Sequence, residues 1–166
     1  MILRIYLKFF DMENFNLKLT PITPKVKNEK NLFFLGSWCL RNIQANDYKS
    51  FLIHKYHWDD RNKLIDDYNG LNSFIDNNFD TISKYMGKIT NTSSDPRFWK
   101  INLGMWAGYL IQALFDRWEN IRTLPNYKFN LIKTPLDINF LRPNTVADFF
   151  TDLTTDGWNE SVYRLI

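Results

Sequence analysis

The stretch from Trp99 to Ile121, WKINLGMWAGYLIQALFDRWENI, limits the fold more than any other part of the chain. Ser94-Asp95-Pro96 precedes it. A capping side chain followed by proline, whose missing N–H costs nothing in the first helical turn, is a helix start. Leu124-Pro125 follows it, and proline cannot continue a helix. Trp99, Leu103, Trp106, Leu110, Leu114 and Ile121 recur at helical steps and share one face. Ile101, Met105, Tyr109, Ile111 and Phe115 cover most of the remainder, and Gln112 is the only strongly polar side chain between Leu103 and Phe115. A helix that is apolar all round is expected in a core or a membrane. Lys100 and Asn102 at one end and Asp116, Arg117 and Glu119 at the other leave an apolar run short of the roughly 20 residues that span a bilayer, so the core is the better reading. Gly104 and Gly108, four apart, leave a flat patch suited to close packing. Arg117 falls on the face of Trp99 and Trp106. A guanidinium there needs a carboxylate or phosphate partner, or must reach solvent at the helix end. A structural pairing and a role in an anionic site both remain open.

The chain has 166 residues, enough for one domain with a sizeable core. Fourteen Phe, eight Tyr and six Trp imply a bulky core or an unsatisfied apolar surface. A net charge of +3 is too small to argue for nucleic acid, and no basic run alternates with aromatics. The single cysteine, Cys39, has no disulfide partner within the chain, and no Cys/His set suits a structural zinc. Both features suit a reducing cytoplasm. The apolar N-terminus carries Arg4, Lys8 and Asp11 and has no cleavage site, so it does not read as a signal peptide.

Taken in order, residues 1–30 form a poorly defined N-terminal segment, with a possible strand over Met1–Phe10, a short strand at Asn16–Pro21 and a loop through Lys30. Residues 31–166 read as one lobe. Leu32-Phe33-Phe34-Leu35 closed by Gly36 reads as a buried strand of a parallel sheet. Lys49–Lys55 is a second short strand. Arg61–Lys88 is a long helix with Leu64, Tyr68, Leu71, Ile75, Phe79, Ile82 and Met86 as its apolar stripe. A short turn, Asn91–Asp95, makes the two long helices antiparallel neighbours. Tyr127–Lys133 is a strand and Asp137–Leu141 loop or strand. Thr145 caps a short helix, Asp156-Gly157 is a turn, and Trp158–Ile166 is a last helix. The expected class is α/β: a partial Rossmann-like lobe with short parallel strands and two long antiparallel helices.

Chemistry concentrates in Tyr56-His57-Trp58-Asp59-Asp60-Arg61. His57, Asp59 and Asp60 supply a candidate general base and neighbours to tune it, just before a helix N-terminus that favours anions. The structural alternative is equally concrete: Asp59 or Asp60 as an N-cap and Trp58 as a core anchor. His54 and His57 imply no third metal ligand. Gly36-Ser37-Trp38-Cys39 lies at a strand's carboxyl end, where ligands of open α/β sheets bind, but it is no nucleophile elbow. Cys39 reads as a buried, inert thiol rather than a nucleophile. No phosphate-binding loop, dinucleotide fingerprint or kinase signature is present.

The same residues carry a resemblance. Leu32-Phe33-Phe34-Leu35-Gly36-Ser37-Trp38-Cys39, Tyr56 to Leu64, Arg97-Phe98-Trp99-Lys100-Ile101, Gly104-Met105-Trp106 and Phe115 to Ile121 resemble, in order and rough spacing, the N-terminal part of a family of transferases from bacterial surface-carbohydrate (O-antigen-type) loci. The resemblance covers about Phe33 to Leu165. It implies a cytoplasmic glycosyltransferase-like role on a two-lobed scaffold. This chain would be the N-terminal, acceptor-side lobe, inactive without a C-terminal lobe or separately encoded half that holds a nucleotide-sugar donor. No cofactor would bind this chain itself, and the acceptor would be a sugar or polysaccharide. His57, Asp59 and Asp60 would be the catalytic candidates, and Gly36, Trp38, Arg61, Arg97 and Arg117 the substrate-binding ones, with no metal. The family pattern would have a histidine in the turn Lys88–Asp95 and a proline where Met105 stands. The alternative is a non-catalytic interaction domain that binds a partner through an aromatic surface.

Overall fold

Short apolar runs are long enough to cross one layer of a sheet and too short for a stable helix. In the computed structural model, which describes residues 14–23, 31–43, 51–132 and 143–166, four such runs are strands: β1 (Asn14–Lys18), β2 (Leu32–Phe34), β3 (Leu52–Ile53) and β4 (Lys128–Leu131). All pairings are parallel, in the order β3-β2-β1-β4. Asn16 lies opposite Leu32 and Phe15 opposite Phe129. This is the order of the first four strands of a doubly wound fold. The α/β class read from the sequence is therefore the observed one. The sheet begins at Asn14, so it takes in part of the segment expected to lie outside the lobe; Met1–Phe10 and Asp137–Leu141 fall outside the described residues.

Phe15, Leu17, Phe33, Phe34, Leu35, Cys39, Leu40 and Tyr163 form the core around the sheet. Cys39 is fully buried and donates to the Lys18 carbonyl at 3.3 Å. Burial pushes its thiol up to about 12, as expected of an inert thiol.

Two long helices connect β3 to β4: α1 (Arg61–Thr90) and α2 (Pro96–Arg122). Asp60 caps α1 by accepting from the backbone N–H groups of Asn62 and Lys63. Asn91 ends it in the left-handed region at φ 52°. Asp95 caps α2 ahead of Pro96. The chain turns tightly here: a Cβ on Gly87 would fall 2.4 Å from the Ser94 hydroxyl. Lys63 reaches Glu119 and Lys100 reaches Asp76, the antiparallel pattern.

The helix α2 is not buried all round. Trp99 and Ala107 pack on Ile75 and Phe79 of α1. Trp106 and Leu110 pack under α3 (Val146–Leu153) and α4 (Asp156–Leu165), against Phe149, Trp158 and Val162. Nothing described covers the remaining sector, so Ile101 is 75% exposed and Met105 66%. Apolar composition set what could be buried, and the number of packed neighbours set how much was. No backbone approaches Gly104 or Gly108: the nearest atoms to a Cβ at Gly104 are side chains, and at Gly108 there are none within 4 Å. Asp156 and Gly157 are the first turn of α4, capped by Thr155, rather than a separate turn, because the Thr155 hydroxyl accepts from the Trp158 N–H. Thr145 and Asp148 form the capping box of α3.

In doubly wound sheets the ligand crevice opens where strand order reverses, here between the carboxyl ends of β1 and β4. Two side chains of α4 bridge that crevice. Buried Glu160 accepts from Thr20 and Thr23, just beyond β1, at 2.7 and 3.3 Å, and from Arg164 at 2.9 Å. Arg164 also donates to the Ile132 carbonyl, just beyond β4, at 2.8 Å. No described helix is long and apolar enough to cross a membrane.

Candidate functional site

The open space at the strand ends is displaced toward β1, β2 and β3. A cleft of about 440 Å³ is lined by Thr20 after β1, Ser37 and Trp38 after β2, and His54, Lys55, Tyr56 and Asp59 after β3. Asp116 and Arg117 of α2 and Asp156, Asn159 and Tyr163 of α4 complete it.

The wall beside β2 is set by one glycine. A Cβ at Gly36 would sit 2.2 Å from the Trp38 ring, so only glycine lets the indole fold back over the turn. The indole N–H then donates to the Leu19 carbonyl at 3.0 Å, and the ring meets Tyr56 edge-on at 5.8 Å. Trp38 borders the cleft and Gly36 supports it from behind.

The floor is Asp116. Its Oδ1 accepts from the Tyr56 hydroxyl at 2.8 Å, from His57 Nε2 at 3.0 Å and more weakly from Asn120 at 3.4 Å. Its Oδ2 accepts from Arg117 Nη1 at 2.8 Å. A buried carboxylate held by four donors, three of them on one oxygen, and paired with a guanidinium is an anchor rather than a free base. His57 is 8% exposed and does not border the cleft; it stands behind Asp116. The carboxylate accepts, so Nε2 carries the proton, and Nδ1 has no hydrogen bond and lies 3.9 Å from Asp67. Burial and the Asp116 carboxylate together push the Tyr56 hydroxyl far above its ordinary value, so it stays neutral.

Arg117 is held flat by its neighbours. Its Nε and Nη2 both donate to the Asn159 amide oxygen, at 3.0 and 2.7 Å, and Nη1 also reaches the Ala113 carbonyl at 3.4 Å. Asn159 is itself fixed, donating to the carbonyls of Leu153 and Thr155. The partner of Arg117 is thus its own chain neighbour and a residue of α4.

The rim is less committed. Asp59 is exposed, lines the cleft and makes no side-chain hydrogen bond or ion pair with the described residues. Lys55 is likewise without a partner among them. His54 Nε2 meets the Thr123 hydroxyl at 3.0 Å, and that hydroxyl spends its own hydrogen on the Glu119 carbonyl. His54 must then donate through Nε2, leaving the Nδ1 lone pair free. Burial, with the nearby His57, lowers its pKa, so His54 is neutral at pH 7. Asp156 pairs with Arg41 at 3.3 Å.

Residues 15–166 match the LIC12162 family transferase. The chain belongs to this transferase family. No curated protein and no solved structure matches it.

Within this LIC12162-family chain the sequence-derived candidates separate. Asp59, Trp38 and Arg117 line one cleft, and His57 braces it. Asp60 is the cap of α1 and Arg61 is exposed in its first turn; neither borders the cleft. Arg97 lies in the first turn of α2, about 30 Å along the helix from Arg117 at 1.5 Å per residue. Tyr56 lies in the segment singled out by sequence but without a role, and His54 figures there only as a candidate metal ligand; Asp116, Asn159 and Tyr163 are not among the sequence-derived site candidates. A signal existed for the first of these: Asp116, Glu119, Asn120 and Thr123 are a polar stripe at helical spacing on an otherwise apolar helix. None existed for Asn159. Among the described residues, no three His, Cys, Asp or Glu side chains form a group that could hold a metal ion.

Proposed function

We propose that this chain is the acceptor-side lobe of a glycosyltransferase-like enzyme of surface-polysaccharide (O-antigen-type) biosynthesis, acting in the cytoplasm. The nucleotide-sugar donor is bound by a C-terminal lobe or a separately encoded half, without which the chain is inactive. Asp59 takes the proton from an acceptor hydroxyl as that oxygen attacks the sugar's anomeric carbon. The bond to the nucleotide's phosphate breaks, and the nucleotide leaves with the electron pair. The observation that carries this reading is Asp59, a carboxylate without a partner among the described residues, on a cleft with an aromatic wall, in a chain of a transferase family. Asp116 holds Tyr56 and Arg117 in place beneath it. The division of labour is supported by α4, whose Glu160 and Arg164 bridge the strand-order crevice where a nucleotide would otherwise be expected.

Calorimetric titration of the chain with saccharides and with nucleotide-sugars tests this. Saccharide binding lost in Asp59→Ala, with no nucleotide-sugar binding until the missing half is added, is the expected result. Nucleotide-sugar binding by this chain alone overturns the division of labour. A second reading, a non-catalytic interaction domain, draws on the exposed Ile101, Met105 and Tyr109 of α2. It is favoured if no saccharide binds and Met105→Lys abolishes association with the other half.

A further inference from the structure

The charges around the cleft are unevenly distributed. Asp116 is held by Tyr56, His57 and Arg117 and Asp156 is paired with Arg41, so Asp59 is the one cleft carboxylate free of a described partner. Two cations face the same space. Lys55 is exposed and unpaired among the described residues. Arg117 has five N–H groups, as every guanidinium does. Four are taken: Nε and one on Nη2 by Asn159, and the two on Nη1 by Asp116 and Ala113. The second N–H of Nη2 has no partner among the described residues, and the side chain, 16% exposed, lines the cleft.

This guanidinium is not simply discharging a buried carboxylate. Asn159 clamps its other edge and is itself clamped by two carbonyls of the α3–α4 connection. A side chain fixed on three sides loses little further freedom when it takes a ligand, and its one spare donor sits in a partly desolvated wall. Such a donor gains most from an anionic acceptor. Asp59 at the rim repels an anion and attracts a hydroxyl proton, so the cleft has a direction.

We infer that the ligand is a saccharide bearing an anionic group, a carboxylate or a phosphate, which Arg117 and Lys55 hold while the reacting hydroxyl faces Asp59. This rests on the acceptor-lobe reading and adds the ligand's charge and its orientation. Orientation follows because the anion and the attacked hydroxyl cannot exchange ends without bringing two negative charges together.

The test is calorimetric titration of the chain, at fixed ionic strength, with glucuronate, glucose 6-phosphate, glucose and inorganic phosphate. At least one of the acidic sugars should bind about tenfold more tightly than glucose, the order given by one charge-assisted hydrogen bond. Which one binds more tightly identifies the group as carboxylate or phosphate. Lys55→Gln, at an exposed position that the fold does not need, should lower the affinity for that sugar several-fold and leave glucose unchanged. Arg117→Lys should also lower the affinity for that sugar, since an ammonium cannot keep the Asn159 clamp and the spare donor together. Equal binding of acidic and neutral sugars overturns the anionic subsite and leaves the saccharide reading standing. Binding of inorganic phosphate without any sugar keeps the anion site and overturns the saccharide reading. No binding of any probe overturns both.

Discussion

Two halves of one face of α2 follow opposite rules. Phe98, Ile101, Met105, Tyr109, Gln112, Asp116, Glu119, Asn120 and Thr123 lie on one side of the helix by its 100° step. In the first half the apolar members, Phe98, Ile101, Met105 and Tyr109, face outward, all more than two-fifths exposed. In the second half Asp116, Glu119 and Asn120 are buried, at 6%, 1% and 0% exposure. The usual ordering is inverted along a single stripe. The difference lies in what each half meets. The second half runs alongside β3's exit, the start of α1 and α4, where Tyr56, His57 and Lys63 offer donors and the Tyr163 hydroxyl accepts from Asn120. The first half extends past them with only α1 on one side and α3 and α4 on the other. Apolar character permits burial, whereas a buried polar group requires its partners, so the second half is the better marker of a built site.

Within the buried half, Asp116 and Glu119 differ again. Two partners of Asp116, Tyr56 and Arg117, line the cleft. Glu119 is held by Arg122 in a two-pronged pair at 2.6 Å and by Lys63 at 3.0 Å, both of which reach solvent. The hydrogen bonds from Arg122, outweighing burial, and those from Lys63 draw its carboxyl down to about 2.

The largest expected effect is at Asp116. Asp116→Ala leaves Arg117 and His57 without their shared acceptor and should cost about 3–5 kcal/mol in urea denaturation, as breaking a buried ion pair does. A loss under about 1 kcal/mol, within the range of a surface change, would mean the floor is not the anchor described. Arg117→Ala combined with Asp116→Ala should cost clearly less than the sum of the two, while Arg117→Ala combined with Asp60→Ala should be additive, since the two sites share no partner.

Glu119→Gln should cost less, roughly 2 kcal/mol at neutral pH, the order expected of a carboxylate paired in the native state. Its folded pKa is depressed, so the pairing stabilises the fold above the ordinary value of 4.5 and is lost as pH falls from there toward about 2. The stability difference between Glu119→Gln and the parent chain should shrink across that window, and a difference constant with pH would refute the assignment.

Asp60→Ala should cost about 1 kcal/mol, the loss of one helix cap, with no change in ligand binding. Coupled loss of binding would return Asp60 to the site. Smallest of all, Met105→Gln on the exposed half of the stripe and Asp59→Asn on the rim should each shift stability by less than about 0.5 kcal/mol. Only Asp59→Asn should weaken saccharide binding. A stability loss of several kcal/mol from Met105→Gln would show that this half is covered after all.

Much of the fold was legible because its signals are local. Caps at Asp60, Asp95 and Thr145, the proline after Asp95 and the short apolar runs need only near neighbours to act; the caps and the runs of β2, β3 and β4 lie where the pattern led, while β1 runs from Asn14 to Lys18 rather than from Asn16 to Pro21. The candidate site was legible only in part. His54 to Asp60 is one continuous segment, so its chemistry could be read, but the roles within it could not. His57, the obvious base by residue type, turns inward to Asp116, and Asp59 faces the cleft, because a single 3-10 turn over His57–Asp59 points successive side chains in different directions. Asp116 joins them from 59 residues away and Asn159 from 42 residues beyond Arg117.

The sequence by itself determined the element types, the helix ends, the α/β class and which segments hold reactive side chains. These depend on backbone propensity, capping and periodicity, all of which act over a few residues. Only the tertiary structure decided which face of α2 is covered, that α4 bridges the ends of β1 and β4, and which carboxylate is held by donors and which has no partner among the described residues. Those outcomes depend on donors and apolar surface contributed by residues far apart in the chain, and a hydrogen bond or a desolvated charge exists only once both partners have been brought together.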